Sequence, residues 1–171
     1  MDTSKIGQGM FAIALILGIA MMTMFFGGAL ERQHNPNQNP ESAINTESVE
    51  INLKRNRQGH YVVTGSINNR PVEFFLDTGA TDVVVPAAMA DKLLLKRGRP
   101  GQARTANGTV TVYNTSIDQL KIGEIVLYNV KASINPAMAP PSILLGMSAL
   151  GQVGFVQAGD SLTLRQDIYQ R

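Results

Sequence analysis

A chain of 171 residues has room for one modest domain and an appendage, and not for two full domains. It has no cysteine, which excludes disulfides, thiol nucleophiles and thiolate zinc sites, and only two histidines, His34 and His60, neither placed to act as the base of a Ser-His-Asp triad. A net charge of +2 with no dense Lys/Arg stripe gives no footprint for a nucleic-acid partner; Lys92, Lys96, Arg97, Arg99 and Arg104 read as a solvated face near a helix end, and the chemistry left to the chain is that of carboxylates.

Residues 1–9 are expected to be a short N-terminal tail. From Met10 to Leu30 there is no charged residue, and at about 1.5 Å per residue such a run crosses a hydrocarbon core as a helix. Residues 10–30 are therefore expected to be a transmembrane anchor. A cleaved signal peptide is the competing reading, with Gly27 and Ala29 as a small-x-small site; the length of the apolar run favours an uncleaved anchor. Charge leaves the orientation open, because Lys5 before the helix and Arg32 after it are offset by Asp2 and Glu31. Residues 31–48, rich in Asn, Gln, Pro, Glu and Ser, are expected to be a flexible linker that cannot bury enough surface to order itself. The folded domain is expected over residues 49–171.

Within it the hydrophobic period is two. Strands are expected at Val49–Lys54, Tyr61–Ile67 and Pro71–Leu76, joined by turns at Arg55–Gly59 and Asn68-Asn69-Arg70. Pro86–Leu95 reads as a short helix. Further strands are expected at Thr109–Tyr113, Ile117–Ile122, Ile125–Ser133, Gly151–Val156 and Ser161–Arg165, the last after a Gly159-Asp160 turn. Many short strands with regular turns indicate a closed or sandwich-like all-β domain.

Phe74-Phe75-Leu76-Asp77-Thr78-Gly79-Ala80-Thr81 is the most informative segment. A hydrophobic strand delivers a carboxylate to a loop that glycine allows to bend tightly. An Asx turn, with Asp77 bonding its own backbone, is the structural alternative for so short a motif. The context adds to the triplet. Asp77-Thr78-Gly79-Ala80-Thr81 is followed by Val83-Val84-Val85-Pro86, then by Thr105-Ala106-Asn107-Gly108-Thr109 between strands, then by Ile143-Leu144-Leu145-Gly146-Met147.

In that order the three segments resemble the active-site loop, the glycine-containing flap hairpin and the hydrophobic-hydrophobic-Gly segment of retropepsin-like (clan AA) aspartic proteases. More narrowly, the pattern looks like that of the bacterial membrane-anchored, single-lobe members. The resemblance spans about Val49 to Arg165. It implies an all-β, single-lobe acid protease barrel with one or two short helices, preceded by an N-terminal transmembrane helix. It implies a membrane-anchored aspartic endopeptidase acting on polypeptides without metal or cofactor, in the inner (cytoplasmic) membrane with its catalytic domain in the periplasm. Asp77, Thr78 and Gly79 would be the catalytic triplet, with Thr78 bracing the partner's loop and Gly79 bringing backbone N–H groups to the carboxylate. Ala80 and Thr81 would line the cleft floor, a role compatible with simply filling the turn. Asn107, Gly108 and Thr109 would belong to a flap closing over an extended peptide.

The chemistry of this class takes two carboxylates, one as base toward a water and one protonated toward the scissile carbonyl. Only one Asp-Thr-Gly is present, and Asp82 is expected to face solvent or bond locally. A symmetric homodimer joined through the active-site loops would supply the second Asp77. The alternative is a retropepsin-like domain serving as a non-catalytic dimerisation or peptide-binding module.

Overall fold

The computed structural model describes residues 3–105 and 108–168. One helix, eleven strands and two single-turn helices make up the described chain. The long helix α1, Thr3–His34, is apolar along most of its length and leaves its large side chains exposed, Met24 at 81% among them. It is long and apolar enough to cross a membrane.

Period-two patterning gives the strands that carry the core. β2 (Ser48–Lys54), β3 (Val62–Ile67) and β4 (Arg70–Leu76) follow one another closely. Ile51, Leu53, Val63, Ile67 and Phe74 are fully buried, each burial removing about 1.5–3 kcal/mol of apolar exposure. Asn68 and Asn69 link β3 to β4 with φ of 47° and 63°, the two left-handed residues of a tight primed hairpin turn, a conformation that asparagine tolerates. Asn68 also donates from Nδ2 to Leu93 O at 2.9 Å and accepts from Gln119 N at 3.1 Å, tying the turn to two other elements.

The rest of the chain builds two sheets. β5 (Val83–Pro86), β6 (Pro100–Thr105), β7 (Gly108–Ile122), β8 (Ile125–Asn135) and β9 (Ile143–Leu145) join β3 and β4 in the order β3-β4-β9-β5-β8-β7-β6. Pairing of Ser66 and Ile67 with Lys121 and Leu120 closes this sheet on itself, leaving β6 as a flange on β7. A closed sheet has no free edge along its ring. β1 (Ser42–Ile44), β2, β11 (Ser161–Asp167) and β10 (Gly154–Ala158) form a smaller antiparallel sheet in the order β1-β2-β11-β10. Leu162 and Leu164 of β11 pack into the shared core.

Several boundaries differ from the sequence reading. The helix expected over Pro86–Leu95 shrinks to α2, Ala87–Ala90, because Val83–Pro86 is committed to parallel pairing with Ala132–Asn135 of β8. Leu94, at φ 61°, ends the following turn. The two strands expected at Thr109–Tyr113 and Ile117–Ile122 are one strand of 15 residues, since Asn114–Ser116 keep pairing with Lys131–Ser133 through the polar stretch. The strand expected from Gly151 starts at Gly154; the Gly151 N–H instead closes helix α3, Met147–Leu150, by donating to Met147 O at 2.8 Å.

The largest difference lies in residues 31–48. The expected tether is laid against the domain. Asn35 and Asn37 are buried, β1 pairs with β2, and Asn37 bridges to Val63. Polar side chains do what apolar ones could not. Asn37 Nδ2 donates to Lys54 O at 2.9 Å and Val62 O at 2.7 Å, and its Oδ1 accepts from Lys54 N at 2.7 Å. Asn35 Nδ2 donates to Thr64 Oγ1 and Glu73 Oε2. The amides stand in for the missing backbone partners where β2 ends and β3 begins.

Candidate active site

The site is built by β4 handing the chain to a loop at its C-terminal end. Phe74, Phe75 and Leu76 pair in parallel with Ile143, Leu144 and Leu145 of β9, and Asp77 N donates to Leu145 O at 3.1 Å. From the other side Leu76 N donates to Tyr61 O. Asp77 is thus fixed on both flanks at the point where the strand stops. It is partly exposed, and Thr78 and Gly79 are exposed.

The loop turns back at once. Ala80 N donates to Asp77 O at 3.2 Å, and Gly79 N donates to Asp77 Oδ1 at 2.9 Å. That second bond is the Asx turn weighed for the triplet, and it fixes the direction of one carboxylate oxygen. A Cβ on residue 79 would lie 3.2 Å from Asp77 Oδ1, so glycine lets the N–H come close. Among the described residues the Thr78 hydroxyl has no hydrogen bond within its own chain.

Behind the loop runs the Leu145–Ser148 segment. Met147 N donates to Ala80 O at 2.8 Å and Ser148 N to Thr81 O at 2.9 Å. Gly146 is needed for this approach: a Cβ there would lie 2.7 Å from Ala80 O and closer still to Asp82 O. Ser148 Oγ accepts from Val83 N at 2.9 Å and donates to Lys131 O at 2.6 Å, so one hydroxyl pins the loop's exit to β8. Asp82, expected to face solvent or bond locally, reaches β8 as well, pairing with Lys131 Nζ at 3.2 Å. Sequence reasoning passed over Ser148 and Lys131, because a lone serine and a lone lysine far along the chain carry no local pattern.

Asp77, Thr78, Gly79, Ala80 and Thr81 therefore share one clamped loop. Gly108 and Thr109 belong to a different element, the β6–β7 hairpin, where Arg104 pairs with Thr109 and Thr105 with Gly108. Both are exposed, and Gly108 has φ of 111°, a conformation that favours glycine. Thr105 Oγ1 donates to Gly108 O at 2.8 Å across the hairpin's end. Asn107 lies outside the described residues.

Comparison with known proteins agrees with this arrangement. Residues 63–152 match the family model described as "gag-polyprotein putative aspartyl protease", a stretch that covers β3 through α3 and the whole candidate loop. The chain is 27% identical over 120 residues to an uncharacterised protein from the cobV 5′ region of a Sinorhizobium species, and 31% identical over 114 residues to an uncharacterised protein of Rickettsia prowazekii. Those alignments take in 68% and 65% of this chain but 52% and 48% of the relatives, so the chain spans about half the length of the curated proteins it matches. Among solved structures, the crystal structure of a retropepsin-like aspartic protease from Rickettsia conorii superposes with a TM-score of 0.60 at 28% identity, covering 73% of this chain and 97% of that one. A mostly β barrel with the Asp-Thr-Gly loop backed by a hydrophobic-hydrophobic-Gly segment, matched by the family model over more than half its length, places this chain in the retropepsin-like aspartic protease family.

Proposed function

We propose that the chain is an aspartic endopeptidase whose active form is a homodimer, with Asp77 contributed by each subunit. The observation that carries this reading is the state of the loop. One carboxylate, partly exposed, is held by Gly79 N–H at 2.9 Å on a loop clamped from behind by Met147 and Ser148. Rigid support of a reacting group limits the reorganisation needed in the transition state. A lone carboxylate on a surface loop would have little use for such bracing.

In the proposed reaction a water lies between the two Asp77 carboxyl groups. The ionised one takes a proton as the water attacks the scissile carbonyl carbon. The protonated one donates its hydrogen to the carbonyl oxygen, giving a tetrahedral diol. The carboxyl that took the water's proton then passes it to the leaving nitrogen while a diol hydroxyl returns its proton to the other carboxylate, so that the C–N bond breaks, a carboxylic acid and an amine leave, and the shared-proton pair is restored. Thr78, exposed and without a partner in its own chain, would donate across the dimer axis and brace the two loops. Ala80 and Thr81 would form the cleft floor. Asn107, Gly108 and Thr109 would belong to a flap that closes over an extended peptide and excludes water. Residues 10–30 would anchor the enzyme in the inner membrane, with the domain on the periplasmic side. That placement follows the family resemblance, and the domain carrying the chemistry is residues 49–171.

Digestion of a peptide library by the full-length protein in detergent micelles tests this. Wild-type protein is expected to cleave a subset of peptides, and Asp77→Asn to lose at least about 10²-fold in rate, the scale of a general acid–base contribution, with unchanged circular dichroism. Equal digestion by both proteins would end the protease reading.

A further inference from the structure

The docked segment after α1 has a consequence for which polypeptides the proposed active site can reach. No free tether separates the apolar run from the domain. α1 continues to His34, and contacts with the domain begin at its last turn. Gln33 Oε1 accepts from Arg57, His34 Nε2 meets Glu73 Oε1 at 2.9 Å, and His34 O accepts from Asn56 Nδ2 at 3.0 Å. Asn35 and Asn37, both buried, then complete the connection through Thr64, Glu73, Lys54 and Val62. Between Leu30 and His34 there is neither glycine nor proline to act as a hinge.

Glu73 sits on β4, the strand that ends at the candidate catalytic loop. From Glu73 to Asp77 the strand covers about 13 Å, at about 3.3 Å per residue. The helix from Leu30 to His34 adds about 6 Å, and a His–Glu side-chain contact spans about 12 Å between backbones at most. Whatever direction β4 takes, Asp77 then lies within about 30 Å of the end of the apolar run. A free linker over residues 31–48 would have let it wander to about 60 Å.

We propose that the substrates are polypeptides anchored in the same bilayer, cut within the stretch of roughly nine extended residues that lies within about 30 Å of its surface. This rests on the protease reading above and on residues 10–30 spanning the membrane. Sharing a membrane raises the effective concentration of enzyme and substrate, and the docked segment turns that proximity into selection by height.

The full-length protein in phosphatidylcholine vesicles tests the proposal against a set of substrates. Each substrate carries one apolar membrane-spanning helix, a proline-rich spacer and a cleavable peptide taken from the library digestion. A spacer of three residues places the bond about 10 Å from the surface and one of twenty-five places it about 80 Å away, at about 3.1 Å per residue. The short-spacer substrate is expected to be cut at least about tenfold faster. A variant with about twenty Gly/Ser residues inserted between Leu30 and Glu31 should cut both at similar rates. It should also cut the soluble peptide at the wild-type rate. Equal cutting of short and long spacers by the uninserted protein, with Asp77-dependent cleavage of the soluble peptide retained, would overturn the height selection and leave the protease intact. Failure to cut the soluble peptide any faster than Asp77→Asn would overturn both.

Discussion

The closed sheet and the segment that joins it to α1 are both ordered, and they are ordered by different chemistry. In the ring, apolar residues recur every second position, and the fully buried Phe74, Val83, Ile117, Val130 and Ile143 hold the strands that carry the loop. In residues 33–48 large apolar side chains are nearly absent, and order comes from Asn35, Asn37, Asn45 and Ser42 bonding to backbone and side-chain groups. Asn45 Oδ1 caps Glu47 N and Ser48 N, and Ser42 Oγ accepts from Glu124 N. Hydrophobic burial is non-directional and tolerates exchange, whereas an amide that bridges two strand ends works only in one geometry. The two regions should fail differently when changed.

The largest difference is expected at Gly146. Ala there places a Cβ 2.7 Å from Ala80 O, against backbone that is itself held by strands, so Gly146→Ala should cost about 3 kcal/mol or more. Thermal unfolding would show this, and residual folded protein should have lost peptide cleavage as well, because the loop carrying Asp77 must move. Asn37→Ala comes next. It strands Lys54 N–H and the carbonyls of Lys54 and Val62 in or near the interior, for about 2–3 kcal/mol. Hydrogen exchange should report the loss at β1, the end of β2 and the start of β3, while cleavage of a soluble peptide by the folded fraction stays near wild type. A drop below about 1 kcal/mol would mean that the segment is bound loosely and the contrast between the regions is weaker than drawn. Ser148→Ala is the smallest, at about 1–2 kcal/mol, since it removes two hydrogen bonds at the loop's exit. Its effect should fall mainly on kcat, with Ser148→Thr recovering part of it.

The same contrast explains what could be read from the amino-acid sequence. Alternation marked β2, β3, β4, β8 and β11 to within a residue or two, and two of the three motif segments fall on the candidate loop and its backing strand. β6, Pro100–Thr105, has no apolar alternation; it is a strand because it completes a hairpin with β7. β5 was hidden within a motif whose valines fit several structures, and its parallel partner lies far along the chain in β8. The docked segment was misread for a physical reason. Composition measures how much apolar surface a stretch can bury, and it is blind to an asparagine whose partners, Lys54 and Val62, become neighbours only after the barrel forms. Ser148 and Lys131 escaped notice for the same reason.

The central claim is that each chain supplies half of one catalytic pair, and mixing subunits tests it most directly. Wild-type and Asp77→Asn proteins, equilibrated together in equal amounts so that subunits exchange, should retain about a quarter of the activity of the same total amount of wild-type protein, because only dimers with two intact carboxylates cleave. Retention of about half, in proportion to the wild-type chains present, would mean that each chain acts alone, and retention of about three quarters would mean that one Asp77 per dimer suffices; either would contradict the account.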